Sequence, residues 1–153
     1  MEHNNKLYLT STDDVIFDEH YRYKINIIES SVILRKGTYI TILDNFNTFC
    51  TQLKFNPNIF IKIIGKLLSC KSGIDKNNKY YLQGNYTTAN IKNIIYPFIQ
   101  EYLLCVSCDK PEIDLKYKND KIKQKCRACG SNFYLQECSP DIIHIFKVNQ
   151  PNV

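Results

Sequence analysis

Apolar residues first recur in β-branched runs and then switch to helical spacing, and those switches mark the elements. Ser31-Val32-Ile33-Leu34-Arg35 and Thr38-Tyr39-Ile40-Thr41-Ile42-Leu43 are split by Lys36-Gly37. A two-residue turn between β-branched runs predicts a hairpin. Asp44 is placed to cap a short helix with Phe46, Phe49, Cys50 and Leu53 on one face. Pro57, at a favoured first-turn position, opens a second helix with the stripe Ile59, Phe60, Ile63, Ile64, Leu67 and Leu68. A second hairpin is predicted over 72–75 and 80–84 around a turn at 76–78. Thr87 or Thr88 caps a third helix reaching Leu104, with Ile91, Ile94, Ile95, Phe98, Ile99, Tyr102 and Leu103 along one face. Pro97 has no amide hydrogen to give to Asn93, so a kink is predicted there.

These patterns predict an α+β domain of two hairpins and three helices over 21–104. Residues 1–20 are polar and aperiodic up to Val15-Ile16-Phe17 and are expected to form a flexible tail or a loosely docked strand. Residues 105–150 are expected to be a small ribbon ending in a C-terminal strand.

Seven cysteines make an odd number, and no export signal is visible between Met1 and Thr10, so a disulfide framework is not expected. Four of them form Cys105-x-x-Cys108 and Cys126-x-x-Cys129, the latter followed by Gly130. Each Cys-x-x-Cys is a knuckle whose two thiolates reach one ion. Two knuckles at the end of a hairpin complete a closed tetrahedral site, so one structural Zn²⁺ is expected on Cys105, Cys108, Cys126 and Cys129. An iron–sulfur cluster would use the same ligands. Cys50 lies on an apolar stripe and reads as core; Cys70 and Cys138 carry no assignment.

The chain has 153 residues, 44% of them apolar and 23% charged, enough for one domain with a small satellite. No apolar run approaches the roughly 18 residues of a membrane span, and a cytoplasmic location is expected. Net charge is +5, with 17 lysines but only three arginines, Arg22, Arg35 and Arg127. Isoleucine, asparagine and tyrosine are abundant too, the profile of an AT-rich genome, so lysine number says less than arginine position.

Two basic features go beyond composition. Lys116, Lys118, Lys121, Lys123 and Lys125 recur mostly every second residue, which puts them on one side of a hairpin, with Leu115, Tyr117 and Ile122 on the other. Such a row can follow an RNA phosphate backbone, or be the exposed face of any zinc ribbon. Second, His20-Tyr21-Arg22-Tyr23-Lys24 sets an arginine between two tyrosines. Rings on both sides can fix a guanidinium for an RNA loop or a transferring phosphoryl group; the same alternation also fits an amphipathic edge strand.

Further residues join these motifs. Tyr21-Arg22-Tyr23-Lys24 is followed by Ile61-Lys62-x-x-Gly65 and by the segment from Tyr80 to Gly84. Phe98-Ile99-x-x-Tyr102-Leu103-Leu104-Cys105-x-x-Cys108-x-x-Pro111-Glu112 then leads to Cys126-x-x-Cys129-Gly130. On these residues the chain resembles the N-terminal domain of eukaryotic translation initiation factor 5, and its relative the beta subunit of initiation factor 2. The Tyr-Arg-Tyr-Lys segment favours factor 5. The family's Phe-Gly-x-Glu-Leu-Gly reads Ile64-Gly65-Lys66-Leu67-Leu68-Ser69 here, and Ile40 and Ile113 stand where a basic residue and a hydroxyl are expected.

The resemblance implies an α+β domain with a zinc ribbon that acts on the initiation factor 2 GTPase during start-codon selection. It implies a GTPase activator, not an enzyme by itself, with Arg22 as an arginine finger supplied in trans and Lys62 in support. Implied partners are the GTPase gamma subunit of initiation factor 2, initiator tRNA and the small ribosomal subunit, with the ribbon lysines toward RNA. The alternative is a non-activating binding module of the same initiation complex, beta-subunit-like or a competitor, that binds initiator tRNA or ribosomal RNA. The chain is expected to be monomeric, and its end at Val153 is read as a compact form without the factor's C-terminal domain.

Overall fold

The structure, a computed structural model, describes residues 2–3, 6–9 and 24–149. It is mixed α and β, with three antiparallel sheets and four α-helices among those residues. The strands β1 (Glu2–His3), β2 (Lys6–Tyr8) and β3 (Lys24–Asn26) form the first sheet in that order. The expected tail thus contributes two short strands, paired Leu7 to Ile25 and Leu7 to Glu2.

The chain divides into two compact units, one made of Met1–Ile27 with Pro97–Val153, the other of Ile28–Tyr96. In the second unit, β4 (Ser30–Arg35) and β5 (Thr38–Leu43) form the predicted hairpin. Lys36 and Gly37 turn it at φ of 51° and 77°, the doubly positive turn that matches strand twist. Helix α1 (Phe46–Leu53) buries Phe46, Phe49, Cys50 and Leu53, as its stripe predicts. Asn45, not Asp44, holds the N-cap position. The Asp44 amide donates to the Glu29 carbonyl (2.9 Å) and its carboxylate accepts the Ser31 hydroxyl (3.1 Å), so it ends the ladder rather than starting the helix.

Helix α2 (Pro57–Leu67) begins at its proline, with the Asn56 side chain accepting the Asn58 amide at 2.9 Å. Its buried face is Ile59, Phe60, Ile61, Ile63, Ile64 and Gly65; Leu67, assigned to the stripe, is exposed. Strands β6 (Ser72–Ile74) and β7 (Tyr80–Gln83) complete the sheet order β4-β5-β7-β6. Phe46 packs against Phe60 and Tyr80 at 5.7 and 4.9 Å between ring centres.

Helix α3 (Thr88–Phe98) is capped by Thr87, whose hydroxyl accepts the Asn90 amide while the Asn90 side chain accepts the Thr87 amide, both at 3.1 Å. The sequence predicts one kinked helix to Leu104 with the boundary there. Instead the helix passes at Phe98 into a π-helical turn, Ile99–Leu103, and the units divide at Pro97. The missing proline amide breaks the ladder, and a wider turn absorbs the break. Residues beyond it belong to the ribbon's unit: Phe98 stacks on Tyr102 at 4.5 Å, and the buried Gln124 amide donates to the Tyr102 carbonyl at 2.9 Å.

The ribbon is β8 (Ile113–Lys118), β9 (Lys121–Cys126) and β10 (Asn132–Tyr134), in the order β10-β9-β8. The C-terminal strand expected after it is instead helix α4 (Pro140–Asn149), which packs on β8 and β9. Ser139 accepts the Asp141 amide at 3.3 Å, and Ile142, Ile145 and Phe146 are buried at helical spacing. No helix is long and apolar enough to cross a membrane among the described residues.

Candidate metal centre and lysine ladder

The two knuckles have the same backbone. Cys105 donates its amide to the Lys110 carbonyl (3.1 Å) and accepts the Asp109 amide (2.8 Å). Cys126 donates to the Ser131 carbonyl (2.9 Å) and accepts the Gly130 amide (3.0 Å). Asp109 and Gly130, each just after the second cysteine of its knuckle, have φ of 59° and 76°. The positive-φ turn is therefore made twice, once by a glycine and once by an aspartate, one of the few side chains that tolerates it.

This folding sets Cys105 and Cys129 sulfurs 3.7 Å apart and Cys108 and Cys126 sulfurs 3.6 Å apart. All four lie within 4.8 Å of one another. Tetrahedral bonds of about 2.3 Å to a zinc ion put sulfurs about 3.8 Å apart, so the donor set fits a closed four-sulfur site. Four thiols this close cannot all ionise without a cation among them. Their surroundings divide them. The Ser131 hydroxyl and amide bring Cys129 down to about 6. The Lys110 amide pulls Cys108 down too, but burial and the neighbouring thiols outweigh it and push that thiol up to about 12. Cys105 and Cys126 are buried with Ile113, and Leu115 and Phe133 pack around them.

Arg127, inside the second knuckle, ties it to the strand leaving the first. Its guanidinium reaches the Glu112 carboxylate at 3.0 Å and also pairs with Asp114, while its amide donates to the Glu112 carbonyl at 2.8 Å. Sequence reasoning left Arg127 and Glu112 without a role. The signal was one of three arginines lying inside a knuckle, with two acids just beyond the other knuckle.

Lys116, Lys118, Lys121, Lys123 and Lys125 are brought onto one face. Lys116 stands directly opposite Lys123, Lys118 opposite Lys121, and Lys125 opposite Asp114. Asn119 and Asp120 turn the hairpin at φ of 52° and 62°. Tyr134 on β10 pairs with Lys123 and extends the same face. The other face carries the buried Ile122, Gln124 and Cys126. Among the described residues none of the five lysines makes a salt bridge. Cys50 is buried in the core, and burial pushes its thiol far up.

Lys62 is exposed on α2, beside Ile61, whose carbonyl accepts the Ser72 hydroxyl at 2.9 Å. Gly65 explains its own place in the motif: a Cβ there would meet the Ser72 Oγ at 2.3 Å, so only glycine lets β6 lie on α2. Tyr21-Arg22-Tyr23 lies outside the described residues.

The family described as a domain found in initiation factors 2B and 5 matches residues 12–132. Eukaryotic translation initiation factor 5 of Caenorhabditis elegans is 30% identical over 119 residues, covering 77% of this chain and 27% of the relative. The Dictyostelium discoideum factor 5 is 30% identical over 113 residues, 74% of this chain and 28% of the relative. The beta subunit of initiation factor 2 from Arabidopsis thaliana is 25% identical over 99 residues, 65% of this chain and 37% of the relative. The chain thus matches about a quarter to a third of the length of these relatives. With the matched segment running through the four-stranded sheet, helices α1 to α3 and both cysteine knuckles, the chain belongs to the translation initiation factor family that shares the factor 5 and factor 2 beta domain.

Proposed function

We propose that this chain acts as a factor 5-like activator of GTP hydrolysis by initiation factor 2 during start-codon selection. It is not an enzyme by itself. Arg22 enters the GTPase site of the gamma subunit as an arginine finger, and Lys62 supports that engagement. A finger neutralises charge on the transferring phosphate oxygens and is worth roughly 10³–10⁵ in rate. Zinc bound by Cys105, Cys108, Cys126 and Cys129 holds the ribbon rigid. The ribbon lysines face initiator tRNA or RNA of the small ribosomal subunit in the cytoplasm. The observation that carries this reading is the family match over residues 12–132, which takes in Tyr21-Arg22-Tyr23-Lys24 together with the ribbon.

The test is single-turnover GTP hydrolysis by initiation factor 2 on the small subunit with initiator tRNA, comparing the wild-type chain with Arg22→Ala and Arg22→Lys. Acceleration lost in both variants supports a finger, because lysine has no planar fork. No acceleration by the wild-type chain overturns it. The second reading, a non-activating module of the same complex, is favoured by the lysine ladder, whose unpaired charges suit RNA without any part for Arg22. It predicts retained binding to the complex with no stimulation.

A further inference from the structure

Strand β4 is the outer strand of the four-stranded sheet, and it exposes apolar side chains on both faces. Val32, Ile33 and Leu34 are 40%, 36% and 65% exposed. Edge strands are ordinarily guarded by charges, proline, bulges or cover. This one runs six residues in unbroken register with β5 and has three branched apolar residues in succession.

The hairpin decides which backbone groups face outward. Arg35 and Thr38 close a two-residue turn and exchange both of their ladder bonds. The ladder alternates, so Ile33 and Ser31 also bond to β5, while Leu34 and Val32 direct their N–H and C=O groups away from it. Neither residue makes a bond outside the ladder among the described residues.

Charge along this edge is ordered as well. Glu29 and Asp44 lie at one end, with Asp44 tied to the Ser31 hydroxyl at 3.1 Å, and Arg35 and Lys36 lie at the other. We propose that this edge pairs with the same edge of a second copy, antiparallel about a twofold axis through Ile33. In that register Val32 and Leu34 of one copy oppose Leu34 and Val32 of the other. These are the residues whose backbone groups are free, so the new ladder forms without displacing the old one. Ile33 meets its counterpart. Arg35 falls opposite Ser31, beside Asp44, and Lys36 falls opposite Ser30, beside Glu29. The four-stranded sheets join into one of eight strands through a closed, isologous contact. Parallel pairing would set like charges together at both ends, and a foreign strand has no reason to carry this charge order. This dimer replaces the monomer expected from the sequence.

The test is sedimentation equilibrium of the zinc-loaded full chain over a wide concentration range. The wild type forms a reversible dimer. Val32→Pro removes only an outward N–H, so the β4–β5 hairpin survives while dimerisation is lost. Arg35→Glu and Asp44→Lys each weaken the dimer by about tenfold, since two symmetric attractions become repulsions. The double variant Arg35→Glu/Asp44→Lys returns to wild-type affinity. Ile33→Cys links two copies at residue 33 on mild oxidation, read by peptide mapping, because opposed residues there lie about 4.5 Å apart between Cα atoms. A wild type that stays monomeric, a dimer indifferent to these changes, or single reversals with no recovery in the double variant would each overturn the pairing.

Discussion

Asp109 and Gly130 are structural counterparts, each accepting a positive φ so that its amide can reach the carbonyl of the first cysteine in its knuckle. Nothing lies within 4 Å of a Cβ built at Gly130. Gly130→Ala therefore costs only the left-handed backbone, about 1 kcal/mol. Asp109→Gly relieves the smaller strain of the other knuckle and leaves ribbon stability nearly unchanged or slightly higher. Thermal unfolding of the two variants, followed by a ribbon probe, should rank them in that order; equal losses would mean that the two turns are not equivalent.

Metal removal should unfold the ribbon. The small core around Cys105, Ile113 and Cys126 is lined by the ligands themselves. A structural metal contributes on the order of 10 kcal/mol to such a module. Chelation or Cys126→Ser should abolish hydrogen-exchange protection in β8 and β9 while the sheet of Ile28–Tyr96 keeps its own. Protected ribbon amides in the metal-free chain would contradict this.

Gly65→Ala should be costly for a steric reason. The new methyl would press on Ser72 Oγ at 2.3 Å and Cβ at 2.8 Å, and Oγ is itself held by the Ile61 carbonyl. Separating α2 from β6 is expected to cost about 1–3 kcal/mol. Ser72→Gly should cost less in the Gly65→Ala background than in the wild type, a coupling visible in a double-mutant cycle of urea unfolding.

Sequence periodicity was enough to find elements whose signal is local. The Lys36-Gly37 turn, the Pro57 start of α2, the α1 stripe and the four-cysteine site all depend on neighbours within a few residues. It failed where tertiary contacts decide. That the compact units divide at Pro97 goes with contacts periodicity does not show: Phe98 stacks on Tyr102 and Gln124 holds the Tyr102 carbonyl, joining residues up to 22 apart. Helix α4 was misread as a strand, although Ser139-Pro140-Asp141 is a helix start signal and Ile142, Ile145 and Phe146 form a stripe. The isoleucine-rich run there reads equally as a strand, and the capping serine settles it. Arg127 could not be paired from sequence because its acids face it only once β8 and β9 are in register.

Asp75 should make stability depend on pH. Its carboxylate accepts the Asn77 and Lys79 amides at 2.8 and 2.9 Å across the β6–β7 turn. The Lys79 amide holds it below the usual carboxylate value, against the opposing effect of burial, with help from the Asn77 amide and the charges of Arg35 and Lys79. A carboxyl depressed in the folded state contributes stability that is present above its ordinary value of 3.8 and lost as pH falls through the lowered one. Asp75→Asn keeps an acceptor but cannot titrate. The gap in urea midpoint between wild type and variant should therefore be constant near neutrality and shrink below pH 4; a gap unchanged on acidification would remove Asp75 from the account.

The lysine ladder should trade stability for binding. Lys116 faces Lys123 without an acid between them, and like charges directly opposed across strands cost roughly 0.2–1 kcal/mol. Lys116→Gln removes that repulsion, so the ribbon should gain a few tenths of a kcal/mol in thermal unfolding. If the face binds RNA phosphates, the same change should weaken binding across sequences and reduce the slope of log affinity against log salt by about 1. Lys110, on the first knuckle and outside the ladder, is the control: Lys110→Gln should leave the slope nearly intact. A stabilised ribbon with an unchanged salt slope would show that the ladder is a strained surface facing only solvent.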